Sequence, residues 1–258
     1  MARIFISQPC TGGLVHQKTV ITAQSITFDH EPHFKYIENC SLVTKARQDH
    51  FAMFVQQKHD FLLTIDADMV VGPPGILDGM IERLPDNSIV GGTYAMKAHT
   101  PDGTSPMNGC MLNKGEKAVL DGRLMPMRWL PSGFLLIPRK IALKMVEAYK
   151  DLEYEDHIVG KCWAVYNTML LTDDEGVRRF LPEDFSFCER AKNIGINIFC
   201  DTNIVLGHIG SYLYHVEHLR VQQQPIRQKP STMVSVSADL MKVKTEDVVK
   251  VDFSKFKK

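Results

Sequence analysis

The sequence lacks the features that mark secretion, membrane insertion and a strong charge field. No apolar run in its 258 residues approaches the length needed to cross a bilayer, and the first six residues enter a strand-like run without the long apolar segment of a signal peptide. The 30 basic and 30 acidic residues balance, so no net charge draws the chain to nucleic acid or anionic lipid. These absences predict a soluble, cytoplasmic protein.

Cofactor and disulfide signatures are missing as well. The chain has no G-x-G-x-x-G and no G-x-x-x-x-G-K-[ST], which argues against the common dinucleotide and P-loop sites. Its six cysteines contain no C-x-x-C pair and are too sparse for a secreted disulfide scaffold, so we interpret them as reduced packing residues. At this length the chain is most naturally one large domain, or one domain with an appendage.

Short apolar strands alternate with amphipathic helices over the first 96 residues. The spacing predicts strands over residues 3–7, 61–65 and 89–94, and helices over residues 16–25, about 42–53 and 73–84, with Pro73 and Pro74 in the first turn of the last. Such alternation is typical of a mostly parallel sheet covered on both faces.

The pattern changes after residue 96. Residues 97–133 are rich in Gly, Pro and Asn and predict irregular loops with antiparallel strands. A buried strand over residues 134–137 then precedes a helix that opens at Pro138. After a polar stretch we expect a helix from about Glu183 to Ile194 and a strand over residues 196–200.

The strand that begins at Phe61 ends in two carboxylates, Asp66 and Asp68. Residues two apart in an extended segment project to the same side, so both can face one point at the carboxyl end of the strand, where open α/β sheets bind ligands. Hard oxygen donors there suit Mg²⁺ or Mn²⁺ with positions left open for phosphate oxygens. By itself Asp-x-Asp is also common in solvated turns, and the rest of the chain must decide between the two.

Seven motifs, the one that contains Asp66 and Asp68 among them, occur in a fixed order along residues 3–210. They are the turn at 9–13, Ser41 to Arg47, Ile65 to Asp68, Gly91 to Tyr94, Pro131 to Ile137, Glu183-Asp184, and Gly207 to Gly210. Their order resembles the GT-A fold glycosyltransferases, particularly the small family-two-like members frequent in phages and large viruses. Compared with the more usual pattern, the chain departs at Thr11, Gln48 and Ser132.

The resemblance implies an α/β, Rossmann-like GT-A fold with a mostly parallel central sheet, helices on both faces and a small antiparallel acceptor-side portion. It implies a glycosyltransferase domain over residues 1–210, divided into a nucleotide-sugar half (1–96) and an acceptor half (97–210), followed by a C-terminal extension over 211–258. A viral member would act in the cytoplasm of its host.

In function, the resemblance implies a metal-dependent hexosyl- or pentosyltransferase that moves a sugar from a nucleoside-diphosphate sugar, with a UDP-sugar favoured, to a hydroxyl of a glycan, a protein or a modified DNA base. The metal, Mn²⁺ or Mg²⁺, is then held by Asp66, Asp68 and His208. Asp184 is the general base, with Glu183 as its rival. The residues expected to contact the donor are Thr11, Gly12, Arg47, Asp66, Ser132 and Gly133.

Each of these residues also has an ordinary structural interpretation. Glu183 and Asp184 could simply stabilise a helix N-terminus, Arg47 could be a solvated helix residue, and Trp129 could belong to the core and not stack on a sugar. Two other functional classes stay open. A nucleotidyltransferase usually has a Gly-rich basic phosphate loop, which residues 12–18 match poorly, and a non-catalytic nucleotide-sugar-binding module would lose the carboxylates that this chain keeps. The sugar, the acceptor, the stereochemical outcome and the oligomeric state are not encoded in any pattern that we can interpret.

Overall fold

The protein is described here from a computed structural model. The structure describes residues 1–38, 40–98, 105, 112–113, 115–116, 119, 121–173, 176–210 and 213–215. Much of the segment 97–120 and nearly all of the proposed extension 211–258 therefore lie outside the described residues, and the predicted domain boundaries stay predictions. Among the described helices, none combines the length and the apolar character that a bilayer crossing requires.

Five helices are present in the described residues. They are α1 (Gln17–Ile26), α2 (Val43–Gln56), α3 (Ile76–Glu82), α4 (Arg139–Ala148) and α5 (Glu183–Asn193).

Seven strands form the central sheet. They are β1 (Arg3–Cys10), β2 (Glu31–Glu38), β3 (Phe61–Ile65), β5 (Ser88–Gly91), β6 (Leu124–Pro126), β7 (Phe134–Pro138) and β12 (Asn197–Asp201). Smaller sheets contain β4 (Met69–Gly72), β8 (Glu153–Asp156), β9 (Gly160–Trp163), β10 (Met169–Thr172), β11 (Arg178–Leu181), β13 (Val205–Ile209) and β14 (Leu213–His215).

The central sheet has the order β2-β1-β3-β7-β5-β12-β6. The pairs β1–β2, β1–β3 and β5–β12 are parallel, whereas β7 runs antiparallel to both β3 and β5, and β6 runs antiparallel to β12. Five of the seven strands therefore point the same way. This mixed α/β arrangement, with a mostly parallel central sheet and smaller antiparallel sheets, confirms the α/β architecture that the sequence predicts.

Two apolar layers cover the two faces of the sheet. In β1, Phe5 joins the layer under α2, α4 and α5, whereas Ile4 and Ile6 join the layer under α1 and α3. The same alternation recurs in β7, where Leu135 and Leu136 belong to opposite layers. Strand side chains alternate between faces, so strands that are apolar at every position must be buried on both.

A three-stranded sheet with the order β14-β13-β4 lies beyond the end of β3. The strand β13 runs antiparallel to β4, with His208 opposite Met69 and Gly207 opposite Val70. Because β4 begins directly after Asp68, this pairing brings the Gly207–Gly210 motif beside the carboxylates, although the two segments are about 140 positions apart in the chain.

Some elements differ from the sequence predictions. Pro73 and Pro74 are not in the first turn of a helix, because α3 begins at Ile76 after Gly75 in a left-handed conformation. A proline disfavours helical backbone in the residue before it, so Pro74 keeps Pro73 out of the helix. The edge strand β2 was not predicted, and the polar stretch 151–179 forms two antiparallel hairpins, β8–β9 and β10–β11.

Candidate functional site

The Asp66-Ala67-Asp68 segment is held by backbone hydrogen bonds from three directions. The N–H of Asp66 donates to the carbonyl of Gly133 (3.1 Å), the N–H of His16 donates to the carbonyl of Ala67 (2.9 Å), and the N–H of Ile209 donates to the carbonyl of Asp68 (2.8 Å). The start of α1, the start of β7 and the end of β13 therefore fix the loop. Its two carboxylates project from a rigid frame, as a binding site requires.

Asp68 lies between two nitrogen groups. The Nζ of Lys97 donates to its Oδ2, and the Nε2 of His208 lies 3.6 Å from its Oδ1. Burial alone raises the pKa of Asp68, but the hydrogen bonds from His208 and Lys97 outweigh burial and lower that pKa to about 2. The carboxylate is therefore ionised at any physiological pH.

His208 has a fixed orientation. Its Nδ1 lies 3.0 Å from the carbonyl oxygen of Ala95, which can only accept, so Nδ1 carries the proton in this contact. The ring of Tyr94 packs edge-on against the imidazole at a centroid distance of 5.0 Å. With Nδ1 donating to this carbonyl, Nε2 faces Asp68, where it can donate to the carboxylate in the empty site or, without a proton, bind a cation. Metal-binding histidines are typically oriented in this way.

Asp66 has a different partner. The Nη2 of Arg47 donates to its Oδ1 at 2.9 Å and to its Oδ2 at 3.1 Å, while Nη1 donates to the carbonyl of Ser132 at 3.3 Å. The Nε of Arg47 lies 3.5 Å from Oε1 of Glu183. Burial lowers the pKa of Arg47, but the carboxylates of Asp66 and Glu183 outweigh that effect and hold it above its ordinary value.

Arg47 is only 5% exposed and joins the ends of β3, β7 and α5. The predicted contact between Arg47 and the donor stays a prediction. The observed contacts give this residue a positioning role beneath the site.

Asp184 lies at the start of α5, beside Glu183. Its Oδ1 accepts from the N–H of Phe185 at 2.8 Å. Burial and, next, the negative charge of Glu183 raise the pKa of Asp184 to about 6 against the weaker effects of Phe185 and Arg47. A carboxyl group with a pKa this close to neutrality can accept a proton in its ionised form and release it again, as a general base must. The helix-stabilising contact to Phe185 is present as well, so both interpretations of this residue have structural support.

A cleft of about 650 Å³ opens in front of the carboxylates. Its volume falls within the 300–1,000 Å³ that small-molecule sites usually enclose. The lining brings together the end of β1, the start of α1 and the loop after β3; it consists of Pro9, Thr11, Leu14, Val15, His16, Gln17, Cys40, Val43, Asp66, Ala67, Asp68 and Ile209. Of the predicted site residues, Thr11, Asp66 and Asp68 line this cleft directly.

Gly12 belongs to the turn that borders the cleft. It has a φ of 71°, a left-handed conformation that glycine adopts without strain, and a Cβ there would meet no atom within 4 Å. The conformation of the turn, and not crowding, therefore requires glycine at this position. A contact between Gly12 and the donor stays a prediction.

Gly133 is required by a close neighbour. A Cβ on this residue would lie 2.3 Å from the hydroxyl oxygen of Tyr94, the residue whose ring packs against His208. The adjacent Ser132 is buried and offers its carbonyl to Arg47. Gly133 thus supports the site through Tyr94, while its predicted contact with the sugar stays a prediction.

Replacing Gly133 by alanine is expected to destabilise the fold by about 1–3 kcal/mol, as overpacking usually does. The displaced Tyr94 ring should also loosen His208, so affinity for Mn²⁺ should fall. Thermal melting and Mn²⁺ titration measure the two effects. The matched control is Gly79→Ala in α3, where a Cβ would approach only the guanidinium group of Arg83, at 3.4 Å. Equal melting temperatures for the two variants would contradict this interpretation.

The candidate metal ligands fit a divalent cation that is held by two protein groups. Among the described residues, no group of three or more His, Cys, Asp or Glu side chains is placed to hold a metal. Asp68 and His208 nevertheless offer a carboxylate oxygen and an imidazole nitrogen to one point, a mixed set that suits Mn²⁺. Cations of this type are commonly bound by one or two protein groups plus substrate phosphates. Asp66 faces Arg47, and its predicted role as a metal ligand stays a prediction.

One residue of the site was missed by sequence reasoning, and one candidate belongs elsewhere. Lys97 carries no pattern that distinguishes it from other loop residues, and only the folded chain places it against Asp68. Tyr94 ends the Gly91–Tyr94 motif, but nothing in the sequence indicates its contact with His208. Trp129 belongs to the core, because it is 2% exposed, stacks on Phe185 and donates from Nε1 to Glu189 at 2.6 Å.

No protein-family model and no curated protein matches the sequence. Among solved structures the chain is similar to A197 from STIV, with a TM-score of 0.52 and 16% identity over 90% of this chain and 100% of that one. This likeness shows a shared fold. A weaker similarity, with a TM-score of 0.43 and 10% identity, is to GalNAc-T7 with UDP, GalNAc and Mn²⁺; it covers 90% of this chain but only 46% of that one. A TM-score of that size does not establish a relationship.

Proposed function

We propose that the protein is a metal-dependent glycosyltransferase that transfers a sugar from a nucleoside-diphosphate sugar to a hydroxyl acceptor. The observation that carries this proposal is the cleft that ends at Asp68, where an ionised carboxylate and the oriented Nε2 of His208 lie together. A GT-A sheet with an acidic loop after its third strand supports the same function. The fold alone would not support it, since one fold hosts many activities.

The donor is expected to occupy the cleft with its nucleotide toward the Pro9–Thr11 turn and its diphosphate toward Asp68. The first residues of α1, His16 and Gln17, line the same cleft, and the positive end of a helix favours an anion. The apolar side chains of Leu14 and Val15 offer a surface for a nucleobase. We favour a UDP-sugar on the strength of the resemblance stated above.

Asp68 and His208 would hold Mn²⁺ or Mg²⁺, with Asp66 the remaining candidate ligand. Once bound, such an ion supplies Lewis-acid stabilisation of the charge that develops on a departing nucleoside diphosphate. The chain's own residues set the geometry for this step. The Ala95 carbonyl orients His208, and Arg47 holds the carboxylate of Asp66.

Asp184 is the proposed general base. It would take the proton of the acceptor hydroxyl as that oxygen attacks the anomeric carbon, while the bond from that carbon to the diphosphate breaks. Glu183 is the rival candidate, but its Oε1 lies 3.5 Å from Nε of Arg47, so its carboxylate already has a cationic partner. The pKa of Asp184 is raised to about 6, and this residue has no cationic partner at hydrogen-bond distance among the described residues.

A panel of nucleotide sugars tests the proposal. The purified full chain with Mn²⁺ is incubated with each UDP-, GDP-, CMP- and dTDP-sugar in turn, and slow hydrolysis is followed as release of free nucleotide. We expect one donor or a closely related group to be hydrolysed, and EDTA to stop the reaction. Pyrophosphate release from a nucleoside triphosphate and a sugar phosphate would favour the nucleotidyltransferase instead. Tight binding without turnover, with or without candidate acceptors, would favour the binding module.

A further inference from the structure

Lys97 pairs with the carboxylate that the proposed cation would need. Its ammonium donates to Oδ2 of Asp68, while His208 faces the other oxygen, Oδ1. Neither side chain of the Lys97–Asp68 pair is deeply buried, since the Lys97 side chain is 38% exposed and the Asp68 side chain 35%. The contact is thus an ion pair at the rim of the cleft that either partner can leave without disturbing the core.

A cation on Oδ1 and an ammonium group on Oδ2 would be two positive charges on one carboxylate, within a few ångströms of each other. A divalent cation bound to Asp68 and His208 would repel the ammonium group, and the long flexible lysine stem allows that group to move by several ångströms without a change of backbone. The cleft beside Asp68 is the space into which the donor diphosphate is expected to bring new negative charge. A lysine released at this point therefore has an anionic partner at hand.

We propose that Lys97 is a positioning residue that exchanges partners: it pairs with Asp68 in the empty site and with the donor diphosphate once the metal and the nucleotide are bound. This inference rests on the proposed function. It makes the lysine a competitor of the cation and a partner of the nucleotide. Removing it should therefore have opposite effects on the two affinities, whereas a purely structural lysine would change both in the same direction or not at all.

The test is Lys97→Met, which keeps the length of the side chain and removes its charge. Mn²⁺ affinity is measured by electron paramagnetic resonance without nucleotide, and UDP affinity by calorimetry in saturating Mn²⁺. We expect the variant to bind Mn²⁺ at least about threefold more tightly and UDP at least about threefold more weakly than the wild type, a change typical of one charge pair at partial exposure. Lys97→Arg, which keeps the charge, should recover much of the UDP affinity.

The matched control is Lys140→Met. Lys140 forms an exposed pair with Asp86, 2.7 Å from Nζ to Oδ1. It follows Pro138, which lies opposite Phe61 at the end of β3 away from Asp66. This variant should leave both affinities unchanged, and melting curves should show all three variants folded.

The outcomes separate this inference from the proposed function. If the wild type binds Mn²⁺ and UDP, but Lys97→Met has the same two affinities or weakens both, the inference is overturned and the proposed function stands. Wild-type protein that binds neither Mn²⁺ nor any nucleoside diphosphate overturns the function, and this inference with it.

Discussion

Asp68→Ala is expected to abolish Mn²⁺-dependent nucleotide binding while the protein stays folded. The substitution removes one of the two groups placed to hold the cation, and leaves a single imidazole that binds Mn²⁺ weakly. The loop itself should persist, because its hydrogen bonds from His16 and Ile209 go to backbone carbonyls that alanine retains. We therefore expect calorimetry with UDP to show at least a hundredfold loss of affinity in Mn²⁺, or about 2.7 kcal/mol.

The stability of Asp68→Ala should depend on pH in a defined direction. The folded-state pKa of Asp68 is lowered to about 2, so its ion pairs stabilise the fold above the ordinary pKa of aspartate and are lost as pH falls toward 2. The variant should melt slightly below the wild type at pH 7, and the difference should shrink in acid. Asp86→Ala, which removes an exposed ion pair with Lys140 outside the lining of the cleft, is the control for nucleotide binding and should leave UDP affinity unchanged. Wild-type affinity for UDP that is identical in Mn²⁺ and in EDTA would contradict the proposed role of Asp68.

Asp184→Asn is expected to lower the transfer rate by about 10²- to 10⁴-fold, the usual contribution of a positioned general base. Donor and Mn²⁺ affinity should be unchanged, because neither Asp68 nor His208 contacts this residue in the described structure. In the wild type, the rate should rise with pH through about 6 as Asp184 loses its proton, and the residual rate of the variant should lack that step.

The melting temperature of Asp184→Asn shows whether Asp184 acts as a general base or only stabilises the start of α5. Because the folded-state pKa of Asp184 lies above the unfolded value, the carboxyl group favours the fold most below about pH 4, and this contribution is lost as pH rises through about 6. Asparagine can still accept from the N–H of Phe185 and carries no charge to bury. The variant should thus melt at or above the wild-type temperature at pH 7. A lower melting temperature with an unchanged transfer rate would support a capping role only. Glu183→Gln is the companion variant, and a larger rate loss there would transfer the assignment to Glu183.

The sequence predicted the elements that carry a strong local signal. Apolar runs such as Phe61–Ile65 and Phe134–Ile137 are buried on both faces, and the start of α5 at Glu183 follows a proline that cannot continue a preceding strand. The hairpins in residues 151–179 were missed because their strands are four residues long and mix polar with apolar side chains. Local pattern says little about strands of this kind, which are stabilised by their pairing.

The site was predictable as a set of residues but not as a set of contacts. Asp68 and His208 do lie together, which the order of motifs implied and only the pairing of β13 with β4 produces. Arg47 is buried between Asp66 and Glu183, two contacts that its position in a predicted helix did not reveal, and its contact with the donor stays a prediction. Lys97 was not anticipated, because its partner is 29 residues away and no periodicity connects them.

The most direct test of the account is a crystal of the full chain grown with Mn²⁺ and the nucleoside diphosphate that the donor panel identifies. Anomalous diffraction from Mn²⁺ locates the cation without reference to any assumed ligand. The account predicts one strong anomalous peak within about 2.3 Å of an Asp68 oxygen and of His208 Nε2, with the diphosphate bound to the same ion and the nucleoside in the cleft beside Thr11. A nucleotide that binds elsewhere, or one that fills this cleft while the cation lies away from both Asp68 and His208, would contradict it.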